Sequence, residues 1–217
     1  SNNWVVAGTH TVSGQPLLAN DPHLKITTPT LWYLARVEVS GAHGFKSAGA
    51  TMPGLPGVVL GQNEHIAWGF TNTGPDVQDL YLERFKPDDP MQVQTPGGWE
   101  RVAGVSEDIR VKGAKSENLV VRVSRHGPMI SDAGGAAGEV AGNDGNASYG
   151  IAMRWTALDA DADPVAAGLA MVRARSAAEF VDAATRLWVA PMQNMVVADR
   201  QGQIAVVSPG RVPLRQA

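Results

Sequence analysis

The order of elements in the sequence predicts an α+β domain built in layers. Strand-like runs continue as far as Trp155, two helical patterns follow, and a hairpin closes the chain; alternating βαβ units would instead spread helices throughout. The composition suits such a core, because 44% of the 217 residues are hydrophobic, enough to bury one domain or most of a larger one. Residues 1–217 are read as a single domain with no internal repeat.

Trp4 to His10 and Pro16 to Asn20 are short apolar runs separated by Ser13-Gly14, the signature of a hairpin that would hold Ser1 at the edge of a sheet. Leu31 to Ser40 alternates, with Tyr33, Ala35, Val37 and Val39 on one face, as a strand with one buried side does. Gly49 to Gly61 is dense in Gly and Pro around Val58-Val59-Leu60, which predicts tight turns about a short buried strand. His65 to Thr71 and Asp79 to Phe85 are further strands, and the loop between them, Asn72 to Asp76, is a place for chemistry because rigid strands flank it. Lys86 to Gly98 reads as an exposed excursion, and Ile109 to Val111 and Leu119 to Val123 as strands. Ser131 to Asn146, rich in Gly, Ala and Asp, reads as a loop, and Tyr149 to Trp155 as a strand.

Asp163-Pro164 then supplies an N-cap followed by proline in the first helical position, with Val165, Leu169 and Val172 at helical spacing. Ser176-Ala177-Ala178-Glu179 is a capping-box pattern opening a second helix, in which Phe180, Val181, Ala184, Leu187 and Trp188 share a face. Met195 to Ala198 and Gln203 to Val207 make the closing hairpin.

A formal net charge of −3 with no long charge run gives no basic surface for nucleic acid, and a neutral or small-molecule substrate is expected. No apolar stretch approaches the roughly 20 residues that span a bilayer, and the start of the chain does not resemble a signal peptide. The absence of cysteine excludes disulfides and thiolate chemistry without fixing the compartment.

Three familiar motifs fail. Asp159, Asp161 and Asp163 imitate the opening of a calcium loop, but Pro164 stands where the turn needs glycine and Ala170 where a bidentate Glu belongs. In Gly44-Phe45-Lys46-Ser47 the glycine is three residues before the Ser instead of two, so no nucleophile elbow is specified. Gly113-Ala114-Lys115-Ser116 lacks the glycine directly before Lys that closes a phosphate cradle.

What remains is Ser1. A serine at a free terminus carries an attacking hydroxyl and an α-amine that can take its proton, so one residue supplies nucleophile and base. The competing reading makes Ser1 an arbitrary boundary. Ser1-Asn2-Asn3-Trp4 followed by Asn20-Asp21-Pro22-His23-Leu24 resembles the start of the β subunit in the penicillin acylase family, whose members cleave amides with an N-terminal Ser. The resemblance continues through Pro53-Gly54-Leu55-Pro56-Gly57, Gly61-Gln62-Asn63, Ile66 to Asn72 and Asp76-Val77-Gln78-Asp79, and resumes at Arg125-His126-Gly127-Pro128, Pro191 to Asn194 and Ala198-Asp199.

The resemblance implies the αββα four-layer sandwich of N-terminal nucleophile hydrolases, which pattern alone does not give. It implies an amidohydrolase of N-acylated small molecules, of the penicillin, cephalosporin or acyl-homoserine lactone type, matured by autoproteolysis. Ser1 would be the nucleophile, His23 a neighbour that orients it, and the backbone N–H of Asn72 one oxyanion donor. Leu24, Val59 and Leu60 match positions lining the family's acyl pocket. No cofactor is needed for catalysis, but a structural calcium is implied at Asp76, the Gln78 carbonyl, Asp79 and the Pro213 carbonyl, with further acidic ligands from outside the 217 residues. The expected partners are an α subunit from the same precursor and the rest of the β subunit, which would bring the second oxyanion donor, an Asn beyond Ala217. The compartment implied is periplasmic or extracellular, in bacteria. The rival from another class is a non-catalytic β-rich structural or calcium-binding domain of a secreted protein.

Overall fold

A computed structural model describes residues 1–142 and 147–215. The chain begins with β1 (Asn2–Val6), β2 (Leu17–Asp21), β3 (Tyr33–Val39), β4 (Phe45–Thr51), β5 (Leu60–Asn63) and β6 (Ile66–Asn72). Next come β7 (Gln78–Lys86), β8 (Asp89–Thr95), β9 (Gly98–Arg101), β10 (Ala103–Ile109), β11 (Glu117–Ser124), the two-residue β12 (Gly127–Pro128), helix α1 (Gly135–Ala141) and β13 (Tyr149–Trp155). Helices α2 (Pro164–Arg173) and α3 (Ala177–Leu187) and strands β14 (Gln193–Asp199) and β15 (Ile204–Val207) complete it. Two compact units result, one from Ser1–Pro75 with Asp159–Ala217 and one from Asp76–Leu158.

The first unit is organised by a six-stranded antiparallel sheet in the order β15-β14-β6-β5-β4-β3. Along β6 the strand period of two sends Ile66, Trp68 and Phe70 to one face, where they pack with Met195 and Val197 of β14 against Met171, Val172, Phe180 and Ala184 of the two helices. Phe180 is fully buried, with ring centroids 6.4 Å from both Trp68 and Phe70. Local chemistry sets the helix starts. The Asp163 carboxylate accepts from the Ala166 N–H at 2.9 Å, and the Ser176 hydroxyl from the Glu179 N–H at 3.2 Å. Glu179 reaches back to the N–H of Arg175, one residue earlier than the reciprocal arm of a capping box.

On the other side of β6 lies the antiparallel ribbon β1-β2, with Asn2 opposite Asp21. Gly69 makes this possible, because a Cβ there would stand 2.8 Å from Cβ of Asn20. Helices, sheet and ribbon thus form three successive layers, and among the described residues the first unit has no helix covering the ribbon.

The second unit has a four-stranded sheet, β13-β7-β8-β9, and a three-stranded one, β10-β11-β12, around Phe85, Val93, Val102, Met129 and Ala152. The expected excursion at Lys86 to Gly98 is instead mostly β8, and Val93 within it is 2% exposed. Its Pro and Asp mask a strand because β7 and β9 supply the pairing that propensity does not. The expected loop Ser131 to Asn146 contains a 3-10 turn, Ile130–Ala133, and α1; its residues 143–146 lie outside the described residues. Strand β4 has no counterpart in the expectations, β10 begins at Ala103 and not near Ile109, and the short strand expected at Val58 begins at Leu60.

Candidate active site

Two asparagines place Ser1. Asn3 in β1 donates through Nδ2 to the carbonyls of Gly69 (3.2 Å) and Asn194 (2.8 Å), bridging the sheet's paired strands β6 and β14. Asn20 in β2 exchanges bonds with Phe70: Nδ2 donates to its carbonyl and Oδ1 accepts from its N–H, both at 3.0 Å. Asn20 Nδ2 also donates to the carbonyl of Asn2, one residue from the terminus. The ribbon that begins with Ser1 is therefore fastened to the sheet by side chains that match backbone groups.

Ser1 is exposed, and its hydroxyl donates to the carbonyl of His23 at 3.0 Å. His23 thus meets Ser1 through its main chain. Its ring is 78% exposed, with Nδ1 3.8 Å from the Asp21 carboxylate. Asn72 ends β6 opposite Gln193 of β14, and its Oδ1 accepts from Gln193 Nε2 at 2.7 Å. Sequence spacing does not single out Gln193, because only the register across two distant strands pairs it with Asn72.

Ser1, Leu24, Val59, Leu60 and Asn72 line one cavity of about 440 Å³. That volume lies within the usual range for small-molecule sites, about 300–1,000 Å³. Thr71, Gln193, Ser1 and Asn72 are its only polar side chains apart from tryptophan N–H groups, and no acidic or basic side chain lines it among the described residues. The indole N–H groups are committed to carbonyls: Trp68 to Val59 (2.8 Å), Trp188 to Pro191 (2.6 Å) and Trp32 to Pro22 (3.2 Å). The remaining wall is hydrocarbon and aromatic, including Met52, Phe70, Val165 and Met171. Away from the Ser1 terminus such a wall suits an apolar group, since an ion held there would lose hydration without gaining a side-chain counter-charge.

The four residues expected at calcium are not gathered in one unit: Asp76, Gln78 and Asp79 open the second, and Pro213 belongs to the first. Along β7 the register sets Arg154 opposite Asp79. No group of three or more His, Cys, Asp or Glu side chains that could hold a metal occurs among the described residues. Two carboxylates and two carbonyls fall short of the six to eight oxygens calcium takes, so these residues alone do not fit the ion. The acidic triple of the failed calcium loop has other partners: Asp163 caps α2, while Asp161 accepts from Arg211 at 2.6 Å and Asp159 from the same guanidinium at 3.4 Å. Ser47, rejected as a nucleophile, is buried inside β4.

The fold has a counterpart among solved structures. The thermostable penicillin G acylase from Alcaligenes faecalis, of the N-terminal nucleophile hydrolase fold, superposes with a TM-score of 0.79 at 27% identity, over all of this chain and 36% of that one. A family model described as penicillin amidase matches residues 1–217, and the chain belongs to that family. It is 32% identical over its whole length to the acyl-homoserine lactone acylase QuiP of Pseudomonas aeruginosa, and 31% identical over 99% of its length to penicillin acylase 2 proenzyme of Pseudomonas sp. strain SE83. The chain spans about a quarter of the length of these relatives, 25% and 26%. No helix among the described residues is long and apolar enough to cross a membrane.

Proposed function

We propose that these residues carry the nucleophile and much of the acyl-binding cavity of an N-acyl amidohydrolase. The observation that carries this reading is that Ser1 borders, together with Asn72, a mainly apolar cavity of about 440 Å³ that no acidic or basic side chain lines among the described residues. The Ser1 hydroxyl attacks the amide carbonyl carbon while its proton passes, directly or through a water, to the terminal amine. The tetrahedral oxyanion is received by the backbone N–H of Asn72 and by a second donor from outside the 217 residues. Loss of one such donor typically raises the barrier by about 2.7–4 kcal/mol. Collapse breaks the C–N bond, the amine leaves with the proton, and the acyl group remains as an ester on Ser1. Water then attacks that ester and releases the carboxylic acid, restoring the hydroxyl.

The lining favours an uncharged, apolar acyl group, in keeping with relatives named for acyl-homoserine lactones and for penicillin. The partners in this proposal are the remaining parts of the same precursor, and the compartment is the bacterial periplasm or exterior. A structural calcium at Asp76 and Asp79 would require carboxylates from those remaining parts. Maturation uses the same hydroxyl, which attacks the preceding carbonyl; the C–N bond breaks to free the Ser1 amine, and water then hydrolyses the resulting ester to release the preceding segment and restore the hydroxyl.

The test is Ser1→Ala in the full-length precursor. Both cleavage before residue 1 and amide hydrolysis should disappear while the fold persists. A variant that is still cut there and still turns over amides would mean that Ser1 is not the nucleophile, and would return the chain to the rival reading as a non-catalytic domain.

A further inference from the structure

Helix α2 presents Pro164, Val165, Gly168, Met171 and Val172 to the cavity, at positions i, i+1, i+4, i+7 and i+8 of a single stripe. Gly168 is the anomaly in that stripe. It lies in the helix interior, where glycine is less favourable than alanine, and its φ is not positive, so no backbone conformation requires it. A Cβ built on it would meet no atom within 4 Å, so neither neighbouring backbone nor a packed side chain requires it. By its place between Val165 and Met171, a side chain at 168 would project into the cavity. What the missing side chain leaves is volume for a ligand.

We propose that Gly168 sets the length and girth of acyl group the cavity accepts, so that the open space above it is a subsite for part of an apolar acyl group. This rests on the amidohydrolase reading for what the cavity serves. Adding atoms at 168 shortens the subsite from its wall while leaving Ser1, Asn72 and Gln193 untouched.

The experiment uses the complete processed enzyme carrying Gly168→Ala or Gly168→Leu. It measures kcat/KM over a series of N-acyl anilides with straight acyl chains of increasing length, and calorimetric binding of the matching straight-chain carboxylic acids. Gly168→Ala should unfold at no lower temperature than the parent enzyme, which keeps misfolding from imitating the effect. Short chains should be affected least. For the longest chains, kcat/KM should fall about tenfold or more in Gly168→Leu and less in Gly168→Ala, with weaker binding of the long acids in the same order. An unchanged chain-length preference, or an equal loss at every length, would overturn the assignment. If the parent enzyme hydrolysed no anilide but bound long acids, and Gly168→Leu weakened that binding selectively, the amidohydrolase reading would fall while the subsite stood. Absence of both turnover and acid binding would overturn both.

Discussion

Asn20 shows how much of this site depends on single side chains that do no chemistry. Its amide satisfies both the N–H and the carbonyl of Phe70 and steadies the carbonyl of Asn2. Asn20→Ala should therefore leave Phe70 backbone groups unpaired at about 1–3 kcal/mol. In the full enzyme, turnover should fall as well, because the ribbon bearing Ser1 loses one of its two fastenings. Denaturant titration together with amide hydrolysis checks both. Gly69→Ala attacks the same contact from the opposite side, since the new Cβ would stand 2.8 Å from that of Asn20. Overpacking of this kind costs about 1–3 kcal/mol, and a Gly69→Ala protein of parental stability would show that the close approach is dispensable. The resemblance singled out Ser1, Asn72, Leu24, Val59 and Leu60, and the structure places all five around one cavity; the roles proposed for them rest on that resemblance. The parts of Asn3, Asn20 and Gln193 were not legible in the sequence, because Asn3 and Asn20 bridge two layers and Gln193 meets Asn72 across a strand pairing, and sequence spacing reveals neither. Resemblance also pointed to His23, but could not distinguish its ring from its carbonyl.

Among the elements, the two late helices were readable in advance because their starts are written locally. Ser176→Ala removes the acceptor for the Glu179 N–H and should cost about 0.5–2 kcal/mol, measured by chemical denaturation. Strands β4 and β8 were not readable. β4 is made largely of small or polar residues, Lys46, Ser47, Ala48, Gly49 and Ala50, and is held as a strand by β3 and β5 on its two edges. The motif Arg125-His126-Gly127-Pro128 also finds its physical reason only in the folded unit. There buried Glu83 accepts from the Ser124 hydroxyl at 2.6 Å and lies 2.7 Å from His126 Nδ1, while the His126 ring stacks on Tyr81 at 3.8 Å. Glu83→Ala should leave His126 Nδ1 without its carboxylate and Ser124 with only its longer contact to the Gly127 carbonyl, and destabilise the second unit by about 1–3 kcal/mol. Hydrogen exchange confined to residues 76–158 would detect it, and unaltered protection there would refute the assignment.

For the molecule as a whole, charge contributes modestly and hydrophobic surface more. The Arg211 guanidinium holds the Asp161 carboxyl below its ordinary value, so this pair stabilises the fold above the usual carboxylate range and ceases to do so as pH falls through the lowered value. Both partners are largely exposed, so the loss should be small and further reduced by salt. Leu34 (90% exposed), Val206 (67%), Leu80 and Leu82 (62% each) leave apolar surface open on both units. Residues 1–217 produced alone should show negligible amide hydrolysis, because the proposed oxyanion hole needs a second donor from outside them, whereas full turnover by these residues alone would contradict that need. The layered α+β class was legible from the order of elements, but the division into two units was not, because both share the same β-rich composition. The central claim, that Ser1 takes the acyl group, is tested most directly by mixing the complete processed enzyme with an N-acyl substrate, quenching in acid within the first turnover and mapping the adduct by mass spectrometry. An acyl mass on the peptide that begins at Ser1, appearing and then decaying as acid is released, is the predicted result; turnover with the acyl group on another residue, or with none on the protein, would contradict it.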